Sequence, residues 1–202
     1  TLADFLNLSA MGANLVVISH PGIFTEEPPY APDEQVIEAL DSMLEHVEAA
    51  DMFAVIAFRT GPGRSEFTFM KGSAGTWFDE GYVDETVWTD RDAQDAWVEM
   101  WERAALRYRD SRAVVGYQIM VEPDGNSALE DPAWDPDDFY SSWGGTTYDW
   151  NTLAGRIVSG IRQVDRQTPI LVSPMGSAGL RWLPWLPPVA DERVVYAFHQ
   201  FQ

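Results

Sequence analysis

The sequence predicts an α/β protein in which parallel strands alternate with helices around one core. Short runs of β-branched and other apolar residues, typical of strands buried on both faces, recur along the chain. Between them, apolar residues return every three or four positions, which indicates amphipathic helices. The length suffices for a single domain, residues 1–202. The predicted strands lie at 13–19, 52–58, 113–120, 169–173 and 194–198.

The predicted helices fill the intervals in order. The opening residues resemble the end of a helix that stops at Gly12, because glycine is common just past helix ends. A second helix is expected over 33–50, and a third carries its apolar stripe along 97–108. The fourth begins at Asp149 or Asn151, since either residue type can cap a helix.

Two features favour a barrel over an open sheet. The loops after the strands are long and rich in Trp, Gly and Pro, whereas the helix-to-strand connections 110–112 and 166–168 are short. Functional residues of (β/α)8 barrels gather on the loops after strands. A glycine-rich phosphate-binding motif, expected in a nucleotide-binding sheet, does not follow the first strand. The sequence therefore predicts a partial (β/α)8 barrel with five to six of eight βα units, the alternative being an open sheet that binds another small molecule.

The net charge of −19 narrows the expected partners. An acidic surface repels phosphate backbones and anionic lipid, so neither nucleic acid nor a membrane is expected, and a neutral substrate or a cation fits better. The chain has no cysteine, which excludes disulfides, thiolate zinc sites and a cysteine nucleophile. No apolar run approaches the ~20 residues that span a bilayer, and no signal peptide is visible.

Asp135, Asp137 and Asp138 form an acidic cluster that could suggest calcium. Their spacing lacks the glycine and the final glutamate of an EF-hand, so a solvated loop is predicted instead. The motifs of zinc proteases and serine hydrolases are absent as well. No metal or cofactor is therefore expected.

A glutamate at the end of the third predicted strand is the strongest chemical signal. The strand leads into Glu122, and Pro123 fixes the backbone directly after it. Burial at such a position raises a carboxyl pKa toward neutrality, as a general acid requires. Alone, the pattern also fits a carboxylate that caps a helix or forms a salt bridge.

In context, the segment 116–123 resembles the acid/base strand of glycoside hydrolase family 5, whose members carry Gly-Tyr/Phe-x-x-x-Asn-Glu-Pro at the end of the fourth strand. The supporting segments follow in the family's order. The resemblance spans essentially the whole chain but matches only strands two to six of the eight. The other segments that carry it are 12–16, 37–41, 53–58, 97–109 and 195–201.

This resemblance implies a retaining glycoside hydrolase that acts on a β-linked polysaccharide or glycoside, with Glu122 as general acid/base. The family's nucleophile is a second glutamate at the end of strand seven, outside this sequence. The remaining strands are expected from the rest of the chain or from another chain. A secreted or periplasmic location is expected.

Three positions depart from the family's pattern. Val121 stands where the family has an asparagine that binds the sugar 2-hydroxyl, Val17 stands near the family's arginine, and Phe201 replaces a tyrosine. These departures keep a second hypothesis open, namely a carbohydrate-binding barrel that has lost its hydrolase activity.

Five further polar residues are candidates for substrate binding. His20 is expected to line the cleft, with a structural histidine as the alternative. Arg59 is expected to replace the missing arginine, or else to form a structural ion pair. Asp124 and Asn126 either reach sugar hydroxyls or shape their turn, and His199 is expected to position the nucleophile or the substrate.

Six tryptophans lie in segments rich in glycine and proline. Flat indole faces in loops suit stacking on sugar rings, but each side chain is also expected, as the simpler alternative, to anchor its own loop. The six are Trp77, Trp88, Trp134, Trp143, Trp182 and Trp185.

Overall fold

The computed structural model describes residues 1–200, which form a five-stranded parallel sheet. Each strand pairs in parallel with the next one along the chain, so the spatial order is the sequence order. Helices connect the first four strands, and the 3-10 segment Leu180–Trp185 lies between the last two. This architecture confirms the predicted fold class. The strands are β1 (Leu15–His20), β2 (Phe53–Phe58), β3 (Val114–Gln118), β4 (Ile170–Val172) and β5 (Val194–Tyr196).

Aspartates begin the helices that follow the first one. The helices are α1 (Leu2–Ala10), α2 (Glu34–Ala49), α3 (Arg91–Tyr108), α4 (Pro136–Trp143) and α5 (Trp150–Val164). The side chain of Asp149, and not that of Asn151, caps α5 by accepting a hydrogen bond from a backbone N–H of the first turn. Asp33, Asp90 and Asp135 cap α2, α3 and α4 in the same way. Four short 3-10 segments lie in loops, at Glu66–Ser73, Glu80–Tyr82, Thr86–Trp88 and Leu180–Trp185.

Three fully buried tryptophans tie the helices to the sheet. Trp97 and Trp101 lie on α3 and Trp150 begins α5, and each indole N–H donates to a backbone carbonyl just beyond the end of a strand. These bonds satisfy the indole nitrogens inside the core and hold the strand ends from which loops emerge. The acceptors are the carbonyls of Pro62, Ile119 and Ser173, at 2.8, 2.8 and 2.7 Å.

Two sequence-based expectations about local structure are wrong. The cluster at Asp135 is not a solvated loop but the start of α4: Asp135 is the cap, Pro136 occupies the first turn, and Phe139 is fully buried. The first strand is not buried on both faces, since Leu15 and Val17 are 49% and 56% exposed. Because β1 is the first strand of the described sheet, its side chains have strand neighbours on one side only.

Within residues 1–200, no helix is both long enough and apolar enough to cross a bilayer.

Candidate active site

The polar candidates converge because parallel strands end at the same edge of a sheet. His20 closes β1, Arg59 follows β2, Glu122 lies four residues beyond β3, and His199 lies three beyond β5. In α/β barrels this carboxyl-terminal edge is where ligands bind. The side chains that the sequence predicts to be functional therefore share one edge.

Glu122 and His199 are in direct contact. The imidazole Nδ1 of His199 lies 2.7 Å from Oε1 of Glu122, although 77 positions separate the two residues. The side chain of His199 is 31% exposed and that of Glu122 is 23% exposed, so the pair is partly sheltered and still reachable from solvent. A carboxyl group oriented by a histidine at a strand end is suited to moving a proton to or from a bound ligand.

The backbone of Glu122 is strained. Its φ is +52°, in the left-handed region that costs a non-glycine residue about 1–2 kcal/mol. The following Pro123 adds a further restriction, because a residue before proline is biased toward extended conformations. Such a conformation persists only where the surroundings impose it.

Arg64 supplies much of that support. Its side chain is fully buried, its Nη1 donates to the carbonyl oxygen of Val121 at 2.7 Å, and its Nη2 donates to that of Glu122 at 2.8 Å. Sequence reasoning missed this residue. The available signal was a basic residue directly after the glycine- and proline-rich turn 61–63, where it follows a buried strand.

Asp124 and Asn126 lie in the same loop as Glu122, and both are buried. The Asp124 carboxylate is 3.2 Å from Nη2 of Arg64, and its side chain is 10% exposed. Asn126 is fully buried, its amide nitrogen donates to the carbonyl of Ala133, and its side-chain oxygen has no hydrogen-bond partner. These contacts support the turn-shaping alternative for both residues, and contact with sugar remains a prediction.

His20 and Arg59 occupy the same edge in different environments. His20 is 6% exposed and its Nδ1 lies 2.9 Å from the carbonyl of Pro21. Burial lowers the pKa of His20, while the hydrogen bond to Pro21 opposes that effect. Arg59 forms an ion pair with Glu66 and lies over the ring of Phe69, and it is partly exposed.

A left-handed turn links the backbones that carry Glu122 and His199. Gly176, Ser177 and Ala178 have φ values of +67°, +57° and +60°. The Ser177 N–H donates to the carbonyl of Pro123 at 3.0 Å, and the His199 N–H donates to the carbonyl of Ala178 at 2.8 Å. The turn thus sets how far apart the two segments lie.

Four of the six loop tryptophans fall into two clear groups by exposure, while Trp143 and Trp185 lie between them. Trp88 and Trp182 are 0% and 4% exposed and anchor their loops, as the simpler alternative has it. Trp77 and Trp134 are 83% and 61% exposed, so their indole faces are available to a ligand. Among residues 1–200, no group of three or more His, Asp or Glu side chains is arranged to hold a metal ion.

Sequence comparison assigns this chain to a family. The model of the family described as Cellulase (glycosyl hydrolase family 5) matches residues 3–202. The chain belongs to glycosyl hydrolase family 5. None of the curated proteins matches it. The family 5 assignment confirms the resemblance carried by the segment around Glu122.

Three solved structures share the fold. The Pseudomonas stutzeri endoglucanase Cel5A superposes with a TM-score of 0.67 at 16% identity, over 97% of this chain and 51% of that one. The Clostridioides difficile cellulose synthase subunit Z gives 0.69 at 16%, over 99% and 54%. The Rhodococcus endo-glycoceramidase II gives 0.66 at 20%, over 97% and 50%. This family 5 chain therefore spans about half the length of the structures it matches, in agreement with a partial barrel.

Of the three departures from the family's pattern, two lie among the described residues, one on β1 and one just beyond β3. Val17 is on β1 with its side chain more than half exposed, and Val121 donates its N–H to the carbonyl of Phe58. The third, Phe201, lies outside the described residues.

Proposed function

We propose that this chain carries the acid/base half of a retaining glycoside hydrolase acting on a β-linked polysaccharide or glycoside. The observation that carries the proposal is the 2.7 Å contact between Glu122 and His199 at the carboxyl-terminal edge of the sheet. Membership of glycosyl hydrolase family 5 supports it.

Glu122 acts twice in this mechanism. Its carboxyl first protonates the glycosidic oxygen as the bond to the leaving sugar breaks, and its carboxylate then removes a proton from the attacking water. A second carboxylate, roughly 5–5.5 Å away, forms the glycosyl-enzyme bond in between. That nucleophile lies outside this sequence, on a strand that completes the barrel.

His199 orients the Glu122 carboxyl. Because Nδ1 of His199 engages Oε1, the second carboxyl oxygen is left to face the leaving group or the water. His20, Arg59, Asp124 and Asn126 remain proposed substrate-binding residues.

Two structures of similar fold support the proposed substrate class. The Pseudomonas stutzeri enzyme is described in complex with cellobiose, and the Thermotoga maritima Cel5A with a mannotriose substrate. We therefore place β-linked glucose and mannose polymers first. A secreted or periplasmic location fits substrates too large to enter a cell.

One observation favours a second candidate, a carbohydrate-binding barrel without hydrolase activity. Val121 directly precedes Glu122 and has no side-chain group that could hydrogen-bond a sugar hydroxyl. The exposed Trp77 and Trp134 suit sugar binding with or without catalysis.

Glu122→Gln in the full-length protein distinguishes the two. Hydrolysis of chromogenic β-glucan and β-mannan should fall by at least about 100-fold, because the amide cannot donate the proton. Glu45→Gln, the same change on the exposed face of α2, is the control and should leave activity intact. Unchanged hydrolysis in Glu122→Gln contradicts the role of Glu122 as general acid/base, while sugar binding by a parent protein with no hydrolysis at all supports the binding module.

A further inference from the structure

We propose that Arg64 is a positioning residue for the acid/base step, acting through the backbone of Glu122. The inference rests on the proposed function. It concerns a side chain that faces away from solvent and cannot reach a sugar, because Arg64 is fully buried.

The geometry of Arg64 defines the conformation of Glu122. The carbonyl of Val121 belongs to the peptide plane before the Glu122 Cα, and the carbonyl of Glu122 belongs to the plane after it. The rotations of these two planes about the bonds to the Glu122 Cα are the φ and ψ angles of Glu122. One guanidinium binds both carbonyls, at 2.7 and 2.8 Å, so it holds the backbone in the left-handed conformation from which the carboxyl projects.

The guanidinium is itself held in place from three sides. Its Nη1 also donates to the carbonyl of Arg59 at 2.9 Å, which connects the end of β2 to the Glu122 loop. Asp124 neutralises its charge, and the ring of Phe69 lies 4.7 Å from its central carbon. A planar fork with several fixed donors can satisfy such a set of acceptors, whereas an ammonium cannot do so with the same directions.

A second cation on the same long loop, the half-buried Lys71, provides a matched control. Lys71 donates to the carbonyl of Ser127 at 2.7 Å and pairs with Glu85 at 2.8 Å. It therefore also ties the β2 loop to the loop that carries Glu122, but five residues further along. Loss of Lys71 should loosen the packing of the two loops without rotating the peptides on either side of Glu122.

Two aryl glycosides separate positioning of the acid from general support of the fold. Phenol is a poor leaving group that needs protonation as the bond breaks, whereas dinitrophenolate leaves without it. kcat/KM reports bond cleavage in the first half of the reaction. A misplaced acid should therefore slow phenyl β-cellobioside much more than dinitrophenyl β-cellobioside, while a destabilised or partly unfolded enzyme slows both alike.

The experiment compares Arg64→Lys, Arg64→Met and Lys71→Met with the parent in the full-length protein, with folding checked by circular dichroism and thermal unfolding. For the Arg64 variants we expect kcat/KM to fall by about 10- to 100-fold on the phenyl glycoside and by less than about 3-fold on the dinitrophenyl glycoside. Lys71→Met should change both substrates by the same small factor.

Each other outcome overturns the inference. The positioning role is refuted if the Arg64 variants lose activity equally on both substrates or lose none. It is also refuted if Lys71→Met shows a selective loss as large as that of the Arg64 variants. If neither Arg64 variant folds, the residue is a requirement of the fold alone. Glu122→Gln separates the failure of this inference from the failure of the proposed function. If Glu122→Gln selectively slows the phenyl glycoside but the Arg64 variants do not, only the positioning role of Arg64 is refuted. If the parent is inactive, or if Glu122→Gln slows both glycosides alike, both proposals are refuted.

Discussion

Replacement of Gly176 by alanine tests whether the left-handed turn is a rigid link between Glu122 and His199. Gly176 has a φ of +67°, and an ideal Cβ built on it would overlap the indole ring of Trp182. That ring is 4% exposed and packs edge-on against Phe139, so it has little room to move away.

The structure sets the size of the effect. The left-handed conformation alone costs alanine about 1 kcal/mol, and overpacking a filled site adds about 1–3 kcal/mol. Gly176→Ala should therefore lower the free energy of unfolding by about 2–4 kcal/mol, which a typical domain with about 5–15 kcal/mol survives. Because the turn bonds to Pro123 and His199, activity should fall as well.

Gly145→Ala is the matched control. Gly145 also has a positive φ, +77°, but its Cβ would meet no heavy atom within 4 Å. It should lose only the conformational cost of about 1 kcal/mol. Urea unfolding followed by tryptophan fluorescence measures both variants. Equal destabilisation of the two would refute the argument, because the overlap with Trp182 is the difference between them.

Two further predictions concern buried polar groups. Burial lowers the pKa of His20 in the folded protein below the ordinary value of 6.5. As the pH falls, the unfolded chain therefore takes up this proton before the folded protein does. The free energy of unfolding should decline as the pH falls through 6.5 toward the lowered pKa. His20→Gln should lack this contribution when the free energy of unfolding is measured from pH 8 to 5. The same pH dependence in the variant and the parent would contradict the prediction. The buried hydroxyl of Tyr117 donates to Asp165 at 3.0 Å, so Tyr117→Phe should cost about 1–2 kcal/mol. The same change at the exposed Tyr82 should cost almost nothing in thermal unfolding, and equal effects would argue against the assignment.

Periodicity and local chemistry made much of the fold predictable. The helix predicted over 33–50 is α2, bounded by its aspartate cap, because apolar spacing and capping are properties of neighbouring residues. Glu122 was predictable because an apolar run, a glutamate and a proline are adjacent in the chain. The start of α4 was misjudged since Asp135 is both a common loop residue and a helix cap.

The roles of Arg64 and of the turn at Ser177 and Ala178 were not predictable in this way. Arg64 binds backbone carbonyls, which every residue carries, so its partners leave no mark on the sequence. Ser177 and Ala178 adopt positive φ without being glycine, which local preference disfavours. Tertiary hydrogen bonds to distant segments impose that conformation.

By itself, the sequence determined the alternation of strands and helices, the position of Glu122 at a strand end and the family to which the chain is similar. These follow from patterns within a few residues. Only the tertiary structure decided that His199 meets the carboxyl of Glu122 and that Arg64 holds its backbone. Those contacts join residues 77 and 58 positions apart, and they exist because parallel strands end at one edge of the sheet.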